Sequence, residues 1–354
     1  MVNGMSGYWL IRRLIRPSAN PVSVLLRRCI CPLALLLTAA VFSWGQFKRL
    51  PPDGPPNASL PTTPANPPAG GPQPELPQFS IKVNLVRLLV SARDATGAVV
   101  ANLDKQDFHV ADSGVPQEIA VFERNTSLPL SVAILIDTSG STRIDLHYEV
   151  DSVLRFVPAL LGAGNPEDVF AVFSFNWHTN LEVDYSRSQK RAARVLHALQ
   201  GDGGTSLYDA VYLASDTLYG RPGRHVIVIV TDGGDTTSYK KYEDALAAAQ
   251  HADASLYPVV VVPVAGDAGR NTGGEHALAT LAASTGGRIF YPEGFTHLDQ
   301  AFSQIIRDLR TQYLLGYYPK DVRLEPRRFH QVSVGARDNH IKVISRSGYY
   351  EPAS

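Results

Sequence analysis

Residues 132–141 read Val-Ala-Ile-Leu-Ile-Asp-Thr-Ser-Gly-Ser: an apolar run that passes straight into an aspartate and two serines. The unbroken run Val132 to Ile136 is the pattern of a strand covered on both faces, as in a parallel sheet between helix layers. In an open α/β sheet, ligands bind outside the carboxyl ends of the strands. Asp137 stands where this strand runs out, and Ser139 and Ser141 follow in the loop. One carboxylate and two hydroxyls then face the same small volume. Oxygen-only donors suit a hard divalent cation such as Mg²⁺ or Mn²⁺. Alone, this spacing is a weak signal, because aspartate and serine also cap helices.

Working outward, strands and helical periods alternate from residue 128 to about 310. Residues 147–161 carry a helical stripe of Val150, Val153, Leu154, Val157, Leu160 and Leu161, and 169–175 reads as a strand. Helices are expected at 188–199 and 206–219, a fully apolar strand at 226–230, and an alanine-rich helix at 242–252. A strand at 257–264, a helix at 275–284, a short strand at 288–291 and a last helix at 297–313 complete the series. The alternation predicts an α/β, Rossmann-like architecture with a mostly parallel sheet flanked by helices.

Two later segments strengthen the reading of residues 137–141. Gly203-Gly-Thr205-Ser-Leu-Tyr-Asp209 places a hydroxyl after a tight glycine turn and before a helix. Val226-Ile-Val-Ile-Val230-Thr-Asp232-Gly-Gly places a second carboxylate at the end of another buried strand. Three separate segments thus deliver oxygen groups to one sheet edge. Asp235, three residues beyond Asp232, reads as a solvated loop acid or helix cap before an added charge near the ion, and Asp209 as a structural acid near a positive helix terminus. His147, His178 and His225 have no ligand spacing. Trp177 and His178 follow a strand and fall near the same rim.

These segments resemble the metal-ion-dependent adhesion site of von Willebrand factor A-type domains: D-x-S-x-S, then a threonine, then an aspartate. Asp137, Ser139, Ser141, Thr205 and Asp232 match all five positions in order and separation. The stretches Asp107-Phe-His-Val-Ala-Asp-Ser-Gly, Gly204-Thr-Ser-Leu-Tyr-Asp209 and Leu315-Gly-Tyr-Tyr-Pro also resemble a bacterial, notably acidobacterial, group of A-domain-related proteins. The resemblance implies that these five residues ligate one metal ion, Mg²⁺ before Mn²⁺ or Ca²⁺. It implies an ion that keeps an exposed, electrophilic position, which an Asp or Glu of a protein partner completes. It further implies that Thr205 changes its contact between weak and tight binding states. The expected role is cation-dependent adhesion or protein binding, not catalysis.

The flanks differ in composition. Residues 79–126 and 312–354 carry short strand patterns separated by turns such as Asp94-Ala-Thr-Gly97, and are expected to pair as a small β-rich accessory unit beside the domain at 127–311. Residues 46–78 form a proline-rich linker. Residues 1–45 read as a cleaved export signal or an uncleaved N-terminal anchor, with arginines ahead of the apolar run 33–42, so a secreted, periplasmic or cell-surface protein is expected, tethered to the membrane if the segment is retained. Cys29 and Cys31 both lie in this segment, so a cleaved signal would leave a mature chain without thiols. The chain has 33 basic and 33 acidic residues. Residues 1–45 hold Arg12, Arg13, Arg16, Arg27 and Arg28 and no acid, which leaves 28 basic against 33 acidic residues, a net of −5. The body therefore lacks the basic excess of a nucleic-acid binder.

Enzymatic alternatives find little support. An aspartyl phosphotransferase also places an aspartate after a first apolar strand and uses Mg²⁺, but wants a second aspartate two residues on, where this chain has Ser139. No G-x-S-x-G elbow and no G-x-x-x-x-G-K-[ST] phosphate loop occurs. A structural scaffold with a vestigial metal site is the remaining alternative.

Overall fold

A computed structural model describes residues 85–350, except 163, 262–270, 295–296 and 324–327. The export segment, the linker and residues 79–84 and 351–354 lie outside the described residues. The α/β body is preceded by β1 (Val86–Arg93), β2 (Phe108–Asp112), β3 (Val115–Gln117) and β4 (Ile119–Glu123). It then runs β5 (Leu130–Asp137), α1 (Leu146–Gly162), β6 (Val169–Phe175), β7 (Thr179–Ser186), α2 (Gln189–Leu196), α3 (Leu207–Leu218), β8 (Arg224–Thr231), α4 (Tyr242–His251), β9 (Ala254–Val260), α5 (Thr272–Ser284) and α6 (Leu298–Arg310). The strands β10 (Tyr313–Tyr317), β11 (Phe329–Ala336), β12 (Lys342–Ile344) and β13 (Gly348–Tyr350) follow.

The central sheet has the order β7-β6-β5-β8-β9. β5 lies parallel to β6 and β8, β8 parallel to β9, and only the edge strand β7 runs antiparallel. Every residue of β5 and β8 is buried, because successive side chains feed opposite helix layers. Val132, Ile134 and Ile136 pack with Val153, Phe156, Phe302 and Ile305 of α1 and α6. Ala133, Leu135, Ile227 and Ile229 pack with Leu207, Val211, Ala245 and Leu278 of α3, α4 and α5. The α/β architecture expected from the apolar runs is the one observed.

Several element boundaries differ from the sequence reading. β7 is an additional strand. Its polar sequence offered no signal, since Val183 is its only fully buried residue and, among the described residues, its outer edge has no partner strand. The segment 288–291 forms no strand and contributes only an isolated bridge from Phe290 to Val259. β9 starts at Ala254, ahead of the expected 257, and residues 262–264 of that expected strand lie outside the described residues. α5 begins at Thr272 because Asn271 caps it, accepting from the Gly274 N–H at 2.9 Å. α6 stops at Arg310, since Tyr313 already belongs to β10.

The remaining strands make two antiparallel sheets, β12-β1-β10-β4 and β13-β11-β2-β3. Strands from before and after the α/β body interleave, with β10 between β1 and β4 and β11 against β2. The two sheets share one apolar core that includes Leu88, Val90, Phe108, Tyr313, Leu315, Tyr317 and Tyr349. Within it Asp112 is fully buried and accepts the hydroxyls of Tyr317 (2.8 Å) and Tyr349 (2.9 Å).

This β unit attaches at the amino ends of the central strands. Arg224, the first residue of β8, donates to the Leu309 carbonyl (2.6 Å) at the end of α6 and to Gln312 Oε1 (3.2 Å). Buried Asp168 accepts from the Leu130 N–H (2.8 Å) and from Arg310 (2.6 Å). Asp308 of α6 pairs with Arg93 of β1 and with Arg288 (3.0 Å). The carboxyl ends of the strands are thereby left to the loops that carry the candidate site.

Candidate metal centre

From β5 the chain crosses to β6 on one side, and later returns to place β8 on the other side of β5. The crevice between the carboxyl ends of β5 and β8 is therefore a topological switch point, the usual ligand position in such sheets. Asp137 is the last residue of β5, and Asp232 follows the last residue of β8. The topology brings the two carboxylates to the two sides of this crevice.

Local hydrogen bonds fix the first loop. The Ser139 N–H donates to Asp137 Oδ1 (2.9 Å), and the Thr142 hydroxyl donates to the carbonyls of Asp137 (3.1 Å) and Ser139 (3.0 Å). These contacts fold the loop back on itself, so that the Ser139 and Ser141 hydroxyl oxygens lie 3.0 Å apart. The second loop is tied directly to the first. The Gly140 N–H donates to the Gly203 carbonyl (2.9 Å), and the Asp202 N–H to the Thr138 carbonyl (2.9 Å). Thr205 follows two residues later, buried, with its N–H donating to the Thr236 hydroxyl (2.8 Å) and its carbonyl accepting from the Thr236 N–H (2.8 Å). Gly203 has φ +82, in the left-handed region that favours glycine. A Cβ on Gly204 would approach the Trp177 ring to 2.7 Å and Thr237 Cγ2 to 2.6 Å, so the indole packs on this glycine turn.

Across the crevice, the Thr231 hydroxyl donates to Asp137 Oδ2 (2.6 Å). Hydrogen bonds join Asp137, Ser139 and Ser141, Asp232 is linked to Asp137 by charge and has its carboxyl lowered by the Ser141 hydroxyl, and Thr205 enters on the loop bonded to Gly140. Asp137 and Ser139 are buried, Asp232 is half-buried and Ser141 is exposed, so the group opens to solvent on the Ser141 side.

The electrostatics are one-sided. Burial pushes the Asp137 carboxyl up to about 6 against the hydrogen bonds from Thr231 and Ser139, and the charge of Asp232 adds to the rise. Burial also raises the Asp232 carboxyl. No arginine or lysine among the described residues figures among the charges acting on either acid. Two buried or half-buried carboxylates with neutral hydroxyls around them and no positive partner fit a hard cation. Among the described residues no group of three His, Cys, Asp or Glu side chains is arranged to hold a metal, so any ion here depends on the hydroxyls as well.

The neighbouring acids are structural. Asp235 accepts from the Ser238 hydroxyl and from the Tyr208 N–H (3.3 Å) in the first turn of α3. Asp209 accepts the N–H groups of Tyr239 (3.0 Å) and Lys240 (2.8 Å). His225 is buried and bonded to the carbonyls of Ala252 and Arg221, far along β8 from Asp232. One contributor escaped the sequence reading. Thr231 followed the apolar run unremarked, although a hydroxyl one residue before Asp232 is well placed to meet Asp137.

A family model, von Willebrand factor type A domain, matches residues 131–304. This part of the chain is a von Willebrand factor type A domain. Solved structures similar to the chain include the PilB minor pilin from Streptococcus sanguinis, at 14% identity, TM-score 0.42, 52% of this chain and 62% of that one. Another is the vWF domain of the type V pili tip protein Mfa5 from Porphyromonas gingivalis, at 14% identity, TM-score 0.41, 51% of this chain and 95% of that one. A third is the proximal thread matrix protein 1 from the mussel byssus, at 15% identity, TM-score 0.45, 56% of this chain and 51% of that one. The chain thus spans less than two thirds of the PilB pilin and of the byssus protein. No curated protein matches it. The von Willebrand factor A domain accounts for the central sheet and its helices, and its type generally mediates protein–protein interaction or adhesion.

Proposed function

We propose that the domain binds one divalent cation, Mg²⁺ before Mn²⁺ or Ca²⁺, through Asp137, Ser139, Ser141, Thr205 and Asp232, and uses it to hold a carboxylate of a protein partner. The observation that carries this reading is the pair of acids at the switch point with hydroxyl oxygens beside them and no cationic side chain acting on them. A buried carboxylate without counter-charge is costly, and a bound cation removes that cost. Mg²⁺ usually keeps exchangeable ligands, so an ion held on one side by the domain has a position left for an Asp or Glu. The exposed side chains of Ile144, three residues after Ser141, and Trp177, packed on the Gly203 turn, would flank the incoming partner.

The role is binding rather than catalysis. Export by residues 1–45 and the spacer 46–78 would present the domain outside the cytoplasm, tethered or free. Mg²⁺ titration of the full chain by calorimetry, beside Asp137→Ala, tests the reading. One ion per native chain and none in the variant is the expected result. An absence of binding for Mg²⁺, Mn²⁺ and Ca²⁺ alike would refute it.

A further inference from the structure

Glu149 occupies the first turn of α1 and is 1% exposed. Its Oε2 has no hydrogen-bond partner among the described residues. The charges acting on it are all negative: Asp137, Asp232 and Asp145, in that order. Buried polar atoms are nearly always satisfied, and an orphaned one calls for an explanation.

Two ordinary explanations are weak. A first-turn acid gains from the positive end of its helix. Here burial outweighs that gain, and the carboxyl is pushed well above the usual carboxylate range. A structural ion pair would need an arginine or lysine, and none figures among the charges on Glu149. The charges that act on Glu149 most are instead those of the pair of acids assigned above to the cation.

We infer that Glu149 is a third acid of the cation site, acting on the ion through its charge from the α1 side rather than as a direct ligand. The inference rests on the proposed cation site. It agrees with the absence, among the described residues, of any group of three acids arranged to hold a metal. A carboxylate beyond contact distance still attracts the ion, because interactions are strong where water is excluded. It can also orient what the ion carries, as groups around metal sites commonly do.

A purely electrostatic role has a signature. The attraction scales with the charge of the ion, so removing the Glu149 charge costs a trivalent ion half as much again, in logarithm of affinity, as a divalent one. The test is titration of the full chain with Mg²⁺ and with Tb³⁺, in native, Glu149→Gln, Glu149→Asp and Asp137→Ala forms. Glu149→Gln keeps the shape and removes the charge. It is expected to weaken Mg²⁺ about 10- to 100-fold, to weaken Tb³⁺ more, and to raise the metal-free urea midpoint. Glu149→Asp, which keeps the charge, should retain most of the affinity. Equal affinities in native and Glu149→Gln chains, with Asp137→Ala silent, would overturn the role of Glu149 and leave the cation site standing. Silence in the native chain would remove both.

Discussion

Asp137 offers a measurement in which pH, metal and a single atom change can be set against one another. In the metal-free chain its carboxyl is raised from 3.8 to about 6, with burial as the main cause. Below about pH 4 the group is neutral in folded and unfolded chains alike, and its contribution to stability is fully present. As pH rises through about 6 the unfolded chain gains from ionisation that the folded one resists, and that contribution is lost. The interval corresponds to about 3 kcal/mol, at about 1.4 kcal/mol per pH unit. Asp232 acts on Asp137, so the loss belongs to the coupled pair. Asp137→Asn removes the ionisation. It keeps an oxygen to accept from the Ser139 N–H and offers an amide to the Thr231 hydroxyl. In EDTA, urea unfolding should show the variant ahead of the native chain by only about 1 kcal/mol near pH 4.5 and by roughly 3 kcal/mol near pH 8. In Mg²⁺ at pH 8 the order should narrow or reverse, since an ion at 100 times its Kd adds about 2.7 kcal/mol to the native chain alone. A stability difference that stays constant between pH 4.5 and pH 8 in EDTA would refute the burial argument.

Substitutions at three further acids separate buried from exposed charge in the framework. Asp112→Ala leaves the Tyr317 and Tyr349 hydroxyls buried without an acceptor, and should lower stability by about 2–6 kcal/mol in urea unfolding, with Asp112→Asn milder. Asp308→Ala strips Arg93 and Arg288 of their shared partner and should cost about 3–5 kcal/mol, whereas Asp104→Ala, which breaks the exposed pair with Arg124 and the cap of the short helical turn 105–107, should cost about 1 kcal/mol. A similar urea midpoint for the last two would contradict the assignment of Asp308 as the joint between the β unit and the α/β domain.

The features legible in the sequence are those with a local signature. β5 and β8 are recognisable because strands covered on both faces must be apolar throughout, and a carboxylate at the end of such a run is conspicuous. The edge strand β7 has one protected side and a polar sequence, so its pairing with β6 is a tertiary fact. The strands β3 and β13 are three residues long, too short for a period to register. The Arg93–Asp308 joint spans 215 residues of chain, and no local pattern announces it. Glu149 was concealed by the regularity of its helix. Leu146, Val150, Val153 and Val157 define the buried stripe of α1, and position 149 falls on it. An acid at such a position is the anomaly that periodicity alone passes over.

The placement of the β unit explains why the candidate site can be both deep and open. The chain enters β5 and leaves α6 at the end of the sheet where Arg224, Asp168 and Arg310 gather, and both connections to the β unit depart from there. The carboxyl ends of β5 and β8 carry no such load. Asp137 is fully buried at the end of β5, between β6 and β8, while Ser141 in the following loop is exposed. The same division assigns the stability of the framework to Asp112 and Asp308, and leaves the acids at the opposite end free to carry an electrostatic deficit. A cation bound there would offset the cost of the buried Asp137 and half-buried Asp232 carboxylates, so that metal binding and folding would strengthen one another.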